Sequence, residues 1–273
     1  MDGNIPSGAN ASEWRDHARY DRLTGFDQAT WAWECLRRAI GKDCQLFREA
    51  GGLLLRADPP ICLLNGDLCD WTGTEPLPLA IFKDCADFAG HVFWRAAHHP
   101  PVLIVRAHPS DADKAGSEPF DLVRLPYPAV VLQVPGRCEY VLIAEGSRCI
   151  RMKICSGTVL SGPVSLEFLV AGDHAFEIRI LSLRRLAAFH RLGRFPRSLF
   201  PPERRARRWA RALQAWDGRK AGASHREIAS VLYGHKAVRH DWYGPSDYQR
   251  THVRRLLQTA DGLIRGGWRK LLW

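Results

Sequence analysis

The sequence predicts an α+β fold in three parts. These are an N-terminal helical segment, a central mainly antiparallel β region and a C-terminal trihelical helix-turn-helix variant. Three observations predict it. Apolar residues recur at helical spacing towards both ends. Short apolar runs punctuated by Gly, Pro and Asp clusters fill the middle. A short capped helix precedes a long amphipathic one near the end. The parts run over 1–50, 51–183 and 184–273. With 273 residues, 46% hydrophobic and 25% charged, the chain has enough apolar material to bury a core in each.

The first part opens polar and then gathers Trp14, Tyr20, Phe26, Trp31 and Trp33. Asp27 to Arg38 reads as one amphipathic helix with Asp27 as its N-cap. Trp31, Trp33 and Glu34 are expected on a helix face packed on core or on a partner rather than lining a ligand pocket. In the central part the expected strands are Leu53–Arg56, Ile61–Leu64, Val102–Arg106, Ala129–Val134, Tyr140–Ala144, Cys149–Cys155, Ser165–Val170 and Phe176–Leu181. A helix is expected around Lys83 to Ala97, and a mobile loop from Asp111 to Phe120.

The chain is expected to turn helical again from Leu183 to Arg191, and three helices follow in the last part. Glu203 to Asp217 follows Pro201-Pro202 and sets Trp209, Leu213 and Trp216 on one face, with Arg204, Arg205, Arg207, Arg208 and Arg211 over much of the rest. Ser224 to Tyr233 begins with the capping box Ser224-His225-Arg226-Glu227 and stops at Gly234. The helix 246–265 starts at Ser246 and ends at Gly266-Gly267. On its wheel Val253, Leu256, Leu257, Ala260 and Ile264 face inward. Tyr248, Thr251, Arg254, Arg255 and Gln258 fall opposite.

A short supporting helix followed by a polar-faced second helix is the order a helix-turn-helix needs. Arg grips guanine edges, Gln suits adenine, and Tyr or Thr meets phosphate or a thymine methyl. The N-terminal half of such a helix reaches the bases, which favours Tyr248, Arg250 and Thr251 over Gln258. Arg226, Lys236, Arg239, Arg254 and Arg255 complete the expected DNA-binding set. The connection from Gly234 to Pro245 exceeds the usual three or four residues. Either the turn is an extended variant, or the trihelical unit docks a protein.

Charge supports a polyanionic partner. The formal net charge is +10, with 39 Lys+Arg against 29 Asp+Glu. Residues 184–273 hold 21 Lys/Arg and 6 Asp/Glu, so the last third carries +15 and the remainder −5. No apolar run approaches the roughly 20 residues of a membrane helix, and Met1–Trp14 lacks an apolar signal core, so a cytoplasmic, nucleoid-associated protein is expected. The eight cysteines form no C-x-x-C pair and no zinc-finger spacing with histidine, and are expected reduced. His235, His240 and Asp241 read as loop surface rather than a metal site. Phosphate-loop, dinucleotide, zincin and nucleophile-elbow motifs are absent from the sequence. Ser224 is explained by its cap. No enzyme, cofactor or metal is expected.

Residues Gly222–Ala229, Asp241-Trp242, Ser246-Asp247-Tyr248, Val253–Leu256 and Gly266–Leu272 resemble the helix-turn-helix variant of the FseA/QseM regulators, which control excision and transfer of integrative and conjugative elements in proteobacteria. The run Gly193–Pro202 and the stretch Ser161–Val164 fit the same family. The block Arg19–Asp21 through Trp31–Arg38 is similar to the N-terminal domain of the FseA-type activators. Since both ends match, the chain resembles the activator rather than the small anti-activator. The resemblance implies a transcription activator that binds double-stranded promoter DNA of excision and conjugation genes. It also implies contact with RNA polymerase through the N-terminal part, and sequestration by a small acidic anti-activator. Trp31, Trp33, Arg37 and Arg38 are the partner-binding residues it points to. The alternative is an anti-activator or adaptor that docks a partner regulator instead of DNA.

Overall fold

The computed structural model describes residues 13–40, 52–65, 78–81, 92–110, 119–134, 136, 138–235, 238 and 248–273. The elements are helices at both ends and a central mixed sheet, an α+β architecture. Two compact units form. One comprises Met1–Phe26, Trp31–Cys44 and Pro202–Trp268; the other Asp27–Thr30, Gln45–Pro201 and Arg269–Trp273. The expected division at 183/184 falls within a single helix, and residues 13–26 and 31–40 belong to the same unit as 202–268.

The described chain opens with the short helix α1 (His17–Asp21) and the longer α2 (Gln28–Ile40). The β-rich unit holds a seven-stranded sheet. Its strands are β1 (Gly52–Ala57), β2 (Pro60–Asn65), β5 (Leu103–Pro109), β6 (Ala129–Val134), β7 (Cys138–Glu145), β8 (Arg148–Ser156) and β9 (Val164–Leu169), in the order β1-β2-β6-β7-β8-β5-β9. Antiparallel pairs predominate, but β2 runs parallel to β6 and β5 parallel to β8. The register of the central hairpin sets Val130 opposite Leu142 and Leu132 opposite Tyr140. Strand β6 is apolar at successive positions because both faces are covered, as in sheets sandwiched between layers. Val131, Val141, Ile143 and Met152 pack with Leu186 and Phe189 of helix α3 (Phe176–Leu192). Val130, Leu132 and Leu142 pack with Phe93 on the opposite face.

Two expected elements are corrected. Phe176–Leu181 is the start of α3, not a strand. Phe176, Ile178 and Ile180 do alternate, but the longer run places Ser182, Leu186 and Phe189 at i, i+4 and i+7, all buried. Asp173 accepts the Ala175 N–H at 2.8 Å just ahead of the helix, and Gly193 ends it with φ of 60°. In the expected helix 83–97, Val92–Trp94 is strand β4, antiparallel to β3 (Pro78–Ile81); β-branched and aromatic side chains favour that state. Residues 83–91 lie outside the described residues, as do 111–118 of the expected mobile loop.

Asp27 caps α2 as expected: its Oδ1 accepts the Thr30 N–H at 2.9 Å and the Thr30 hydroxyl at 2.6 Å. Its other oxygen lies 2.6 Å from buried Arg151. In the same unit His99 donates from Nδ1 to the Leu272 carbonyl at 2.7 Å. Burial, reinforced by Arg151, pulls His99 down to about 3, so it sits neutral.

Candidate nucleic-acid interface

The helical unit is built on α4 (Ala206–Lys220), α5 (His225–Tyr233) and α6 (Tyr248–Ile264). Helix α6 lies against both α4 and α5. Trp209, Leu213 and Trp216 are buried along one side of α4, one per turn. Val253, Leu256, Leu257, Ala260 and Ile264 are the buried side of α6. Ser224 accepts the Glu227 N–H while the Glu227 carboxylate takes the Ser224 N–H at 2.8 Å, so the capping box is complete, and Gly234 ends α5.

The opposite side of α6 faces solvent. Tyr248 is 69% exposed; Arg250, Arg254, Arg255 and Gln258 are exposed, and Thr251 is half-buried. Arg226 is exposed on α5. Lys236 and Arg239 lie outside the described residues. No described carboxylate forms an ion pair with Arg254 or Arg255. Guanidinium groups left without an internal counterion are what a phosphate-contacting surface requires.

Residues outside the expected DNA-binding set border this face. Helical spacing puts Tyr248, His252, Arg255 and Thr259 in one row. Arg208 of α4 donates to the Thr259 hydroxyl at 3.2 Å. The Tyr233 hydroxyl of α5 lies 2.8 Å from His252 Nδ1, with the two rings stacked at 5.6 Å. The Tyr248 ring is 5.7 Å from His252. Burial lowers the pKa of His252, and Arg211, Arg208 and Arg255 lower it further. The sequence set Arg204, Arg205, Arg207, Arg208 and Arg211 over much of this helix, and Arg207, Arg208 and Arg211 lie within α4; the position of His252 had no signal in the sequence.

The expected partner-binding residues are placed differently. Trp31 is 0% and Trp33 8% exposed, so their indoles fill the core instead of offering a surface. The Trp31 ring meets Trp209 edge-on at 5.4 Å. The Arg38 side chain is only 5% exposed. It grips Asp217 with Nε at 2.9 Å and a terminal nitrogen at 2.8 Å, and donates to Glu34 at 2.7 Å. Tyr20 of α1 donates to the same Asp217 carboxylate at 2.7 Å. Half-buried Arg37 pairs with Glu34. Burial raises Glu34, but Arg37 and Arg38 overcome it and hold the carboxyl at about 2. Trp14 closes this core against Gly218, where a Cβ would come within 2.9 Å of the indole. A helix face with two tryptophans and two arginines reads alike whether it meets core or partner; the distant Asp217 decides it.

The β-rich unit has an apolar groove lined by Phe120, Leu166, Phe168, Leu183, Leu186 and His190. Its polar side chains are Ser165 and His190. Among the described residues no group of three His, Cys, Asp or Glu is placed to hold a metal, and no helix is long and apolar enough to cross a membrane.

Residues 169–273 match the family described as a T6SS transcription factor DNA-binding domain. Residues 13–40 match a proteobacterial transcriptional regulator-like domain. No curated protein matches the chain. The second match covers the segment whose tryptophans and arginines pack on α4, and the first contains α4, α5 and α6 entire. Together the two matches support a bacterial transcription regulator that binds DNA, and point to a non-enzymatic protein.

Proposed function

We propose that this chain is a sequence-specific transcription activator that reads double-stranded promoter DNA with helix α6 (Tyr248–Ile264). The observation that carries the reading is the outward side of α6. It presents Tyr248, Arg250, Arg254, Arg255 and Gln258 to solvent, with no described carboxylate paired to Arg254 or Arg255. Tyr248, Arg250 and Thr251 sit in the half of the helix that enters a major groove. Arg226, Arg254 and Arg255, with Lys236 and Arg239 of the α5–α6 connection, supply phosphate contacts that fix register.

The activator role is supported by the resemblance of Arg19–Asp21 through Trp31–Arg38 to the N-terminal domain of the FseA-type activators, and excision and conjugative-transfer genes as targets by the resemblance of Gly193–Pro202, Gly222–Ala229, Val253–Leu256 and Gly266–Leu272 to the helix-turn-helix variant of the FseA/QseM regulators. A contact with RNA polymerase or with a small acidic anti-activator is part of the same reading. If made by the N-terminal segment, it runs through exposed residues there rather than through Trp31, Trp33 or Arg38. The cytoplasm, at the nucleoid, is the location this reading requires.

The test is duplex binding by Arg254→Ala and Arg255→Ala as a function of salt. Each variant should bind more weakly, and the slope of log K against log salt should fall by about 0.9 for each phosphate no longer neutralised. Wild-type binding by both variants would refute the assignment of the reading helix. Weak retention by the wild type, blind to sequence across promoter fragments, would favour an adaptor that docks another protein.

A further inference from the structure

We propose that Arg208 and Arg211 of α4, together with Arg255 and His252 of α6, form a second binding site for a nucleic-acid backbone phosphate, beside the base-reading side of α6. The inference rests on the DNA-binding reading and adds to it an element outside the supporting-helix and reading-helix pair.

Geometry brings the four groups to one border. Arg208 is anchored on Thr259, whose hydroxyl donates to the Arg255 carbonyl at 2.8 Å, so its guanidinium lies at the turn after Arg255. His252 is one turn before Arg255 on the same row. Tyr233 holds the ring by a 2.8 Å hydrogen bond and a stacking contact. A rotamer fixed on two sides is a prepared ligand rather than a mobile surface histidine. Arg208, Arg211 and Arg255 are exposed, and none is ion-paired to a described carboxylate. Other cations of the unit differ in this respect: Arg219 grips Asp261 at 2.5 and 3.1 Å, and Arg205 pairs with Glu203 at 3.1 Å. Three like charges gathered around one imidazole, none paired to a carboxylate among the described residues, repel one another, and an external anion relieves that repulsion. The flat, forked guanidinium suits a phosphate oxygen pair.

His252 makes the site legible to experiment. The groups that face it are Arg208 and Arg211 from α4, Tyr233 from α5, and Tyr248 and Arg255 from α6. With the Tyr233 hydroxyl donating to Nδ1, the neutral ring carries its proton on Nε2 and can offer it to a phosphate oxygen. The surrounding arginines disfavour a second proton on the ring. A bound phosphate offsets their field, so binding draws a proton onto Nδ1, and the Tyr233 oxygen then accepts from it. By linkage, affinity rises as pH falls through the histidine range.

The experiment measures fluorescence anisotropy of a labelled DNA duplex of random sequence, from about 50 to 200 mM salt. Arg208→Ala/Arg211→Ala should reduce the salt slope by about one to two, corresponding to one or two phosphates no longer neutralised. Arg219→Ala, whose charge is already paired, should leave the slope unchanged. His252→Gln should abolish most of the gain in affinity that the wild type shows between about pH 8 and pH 6. An unchanged slope in the double variant, with the wild type binding normally, overturns the second site and leaves the α6 reading intact. A wild type that fails to bind duplex even at the lowest salt overturns the DNA reading itself. Equal pH dependence in wild type and His252→Gln removes His252 from the site.

Discussion

Arginine does opposite work on two sides of the same helix. Towards Asp217, α4 meets Arg38 of α2 in a bidentate pair that also involves Glu34 and Tyr20, and almost none of the Arg38 side chain reaches water. Towards Arg208 and Arg211, α4 displays cations to which no described carboxylate is paired. In the first place charge is consumed in holding residues 13–26 and 31–40 to α4 within the helical unit. In the second it is left over. The contrast shows that net charge alone does not locate a binding surface. The informative quantity is the charge remaining after internal pairing.

The largest expected effect lies on the consumed side. Asp217→Ala leaves the buried Arg38 guanidinium without one of its two counterions and the Tyr20 hydroxyl without its acceptor. Breaking one member of a buried pair costs about 3–5 kcal/mol, to be read by denaturant unfolding. A change below about 0.5 kcal/mol would mean that this network does not hold the segment, and the contrast between the two sides would fail. Trp31→Ala should cost a comparable figure of about 3–5 kcal/mol if the indole is core, and far less if its main role were to meet a partner.

Acid gives the next effect and sharpens the same contrast. Glu34 is held at about 2, below its ordinary 4.5. A carboxylate with a depressed folded pKa contributes stability that is fully present above about 4.5 and is lost as pH falls towards 2. Unfolding free energy should therefore decline across that window, by on the order of 3 kcal/mol from this group, and Glu34→Gln should flatten the decline. An identical acid limb in the variant would place the titration elsewhere.

What the sequence revealed and concealed follows the range of the interactions involved. The capping box at Ser224, the Gly234 stop and the buried row Val253, Leu256, Leu257, Ala260 and Ile264 depend on neighbours within a few residues, and all appear as expected. So do β6 and β7, whose apolar runs leave little choice. Phe176–Leu181 misled because a six-residue alternation fits both periods, and only the following turns settle it. Trp31 and Arg38 misled because their counterparts, Trp209 and Asp217, lie about 180 residues further along the chain. Likewise His252 needed Tyr233 and the α4 arginines before it stood out from an ordinary surface histidine.

Local capping supplies a smaller effect. Ser224→Ala removes the acceptor for the Glu227 N–H and should lower stability by about 1 kcal/mol. Ser224→Asp should restore most of it, because a carboxylate also caps and favours the positive end of the helix. Loss of DNA binding in Ser224→Ala without loss of stability would mean that the hydroxyl has a direct role at the interface.

The smallest effect on stability has the most diagnostic sign. Replacing Arg208, Arg211, Arg254 and Arg255 by Ala removes four exposed cations whose mutual repulsion the folded state bears without described carboxylate partners. Surface changes of this kind usually stay within about 0.5 kcal/mol each. Here the net shift should be towards greater stability, larger at low ionic strength, where repulsion is least screened. Thermal unfolding at two salt concentrations measures it: the variant should gain on the wild type in low salt and converge with it in high salt. A destabilisation of more than about 1 kcal/mol would assign these arginines a structural role like that of Arg38. The distinction between consumed and surplus charge, and the interface drawn from it, would then be lost.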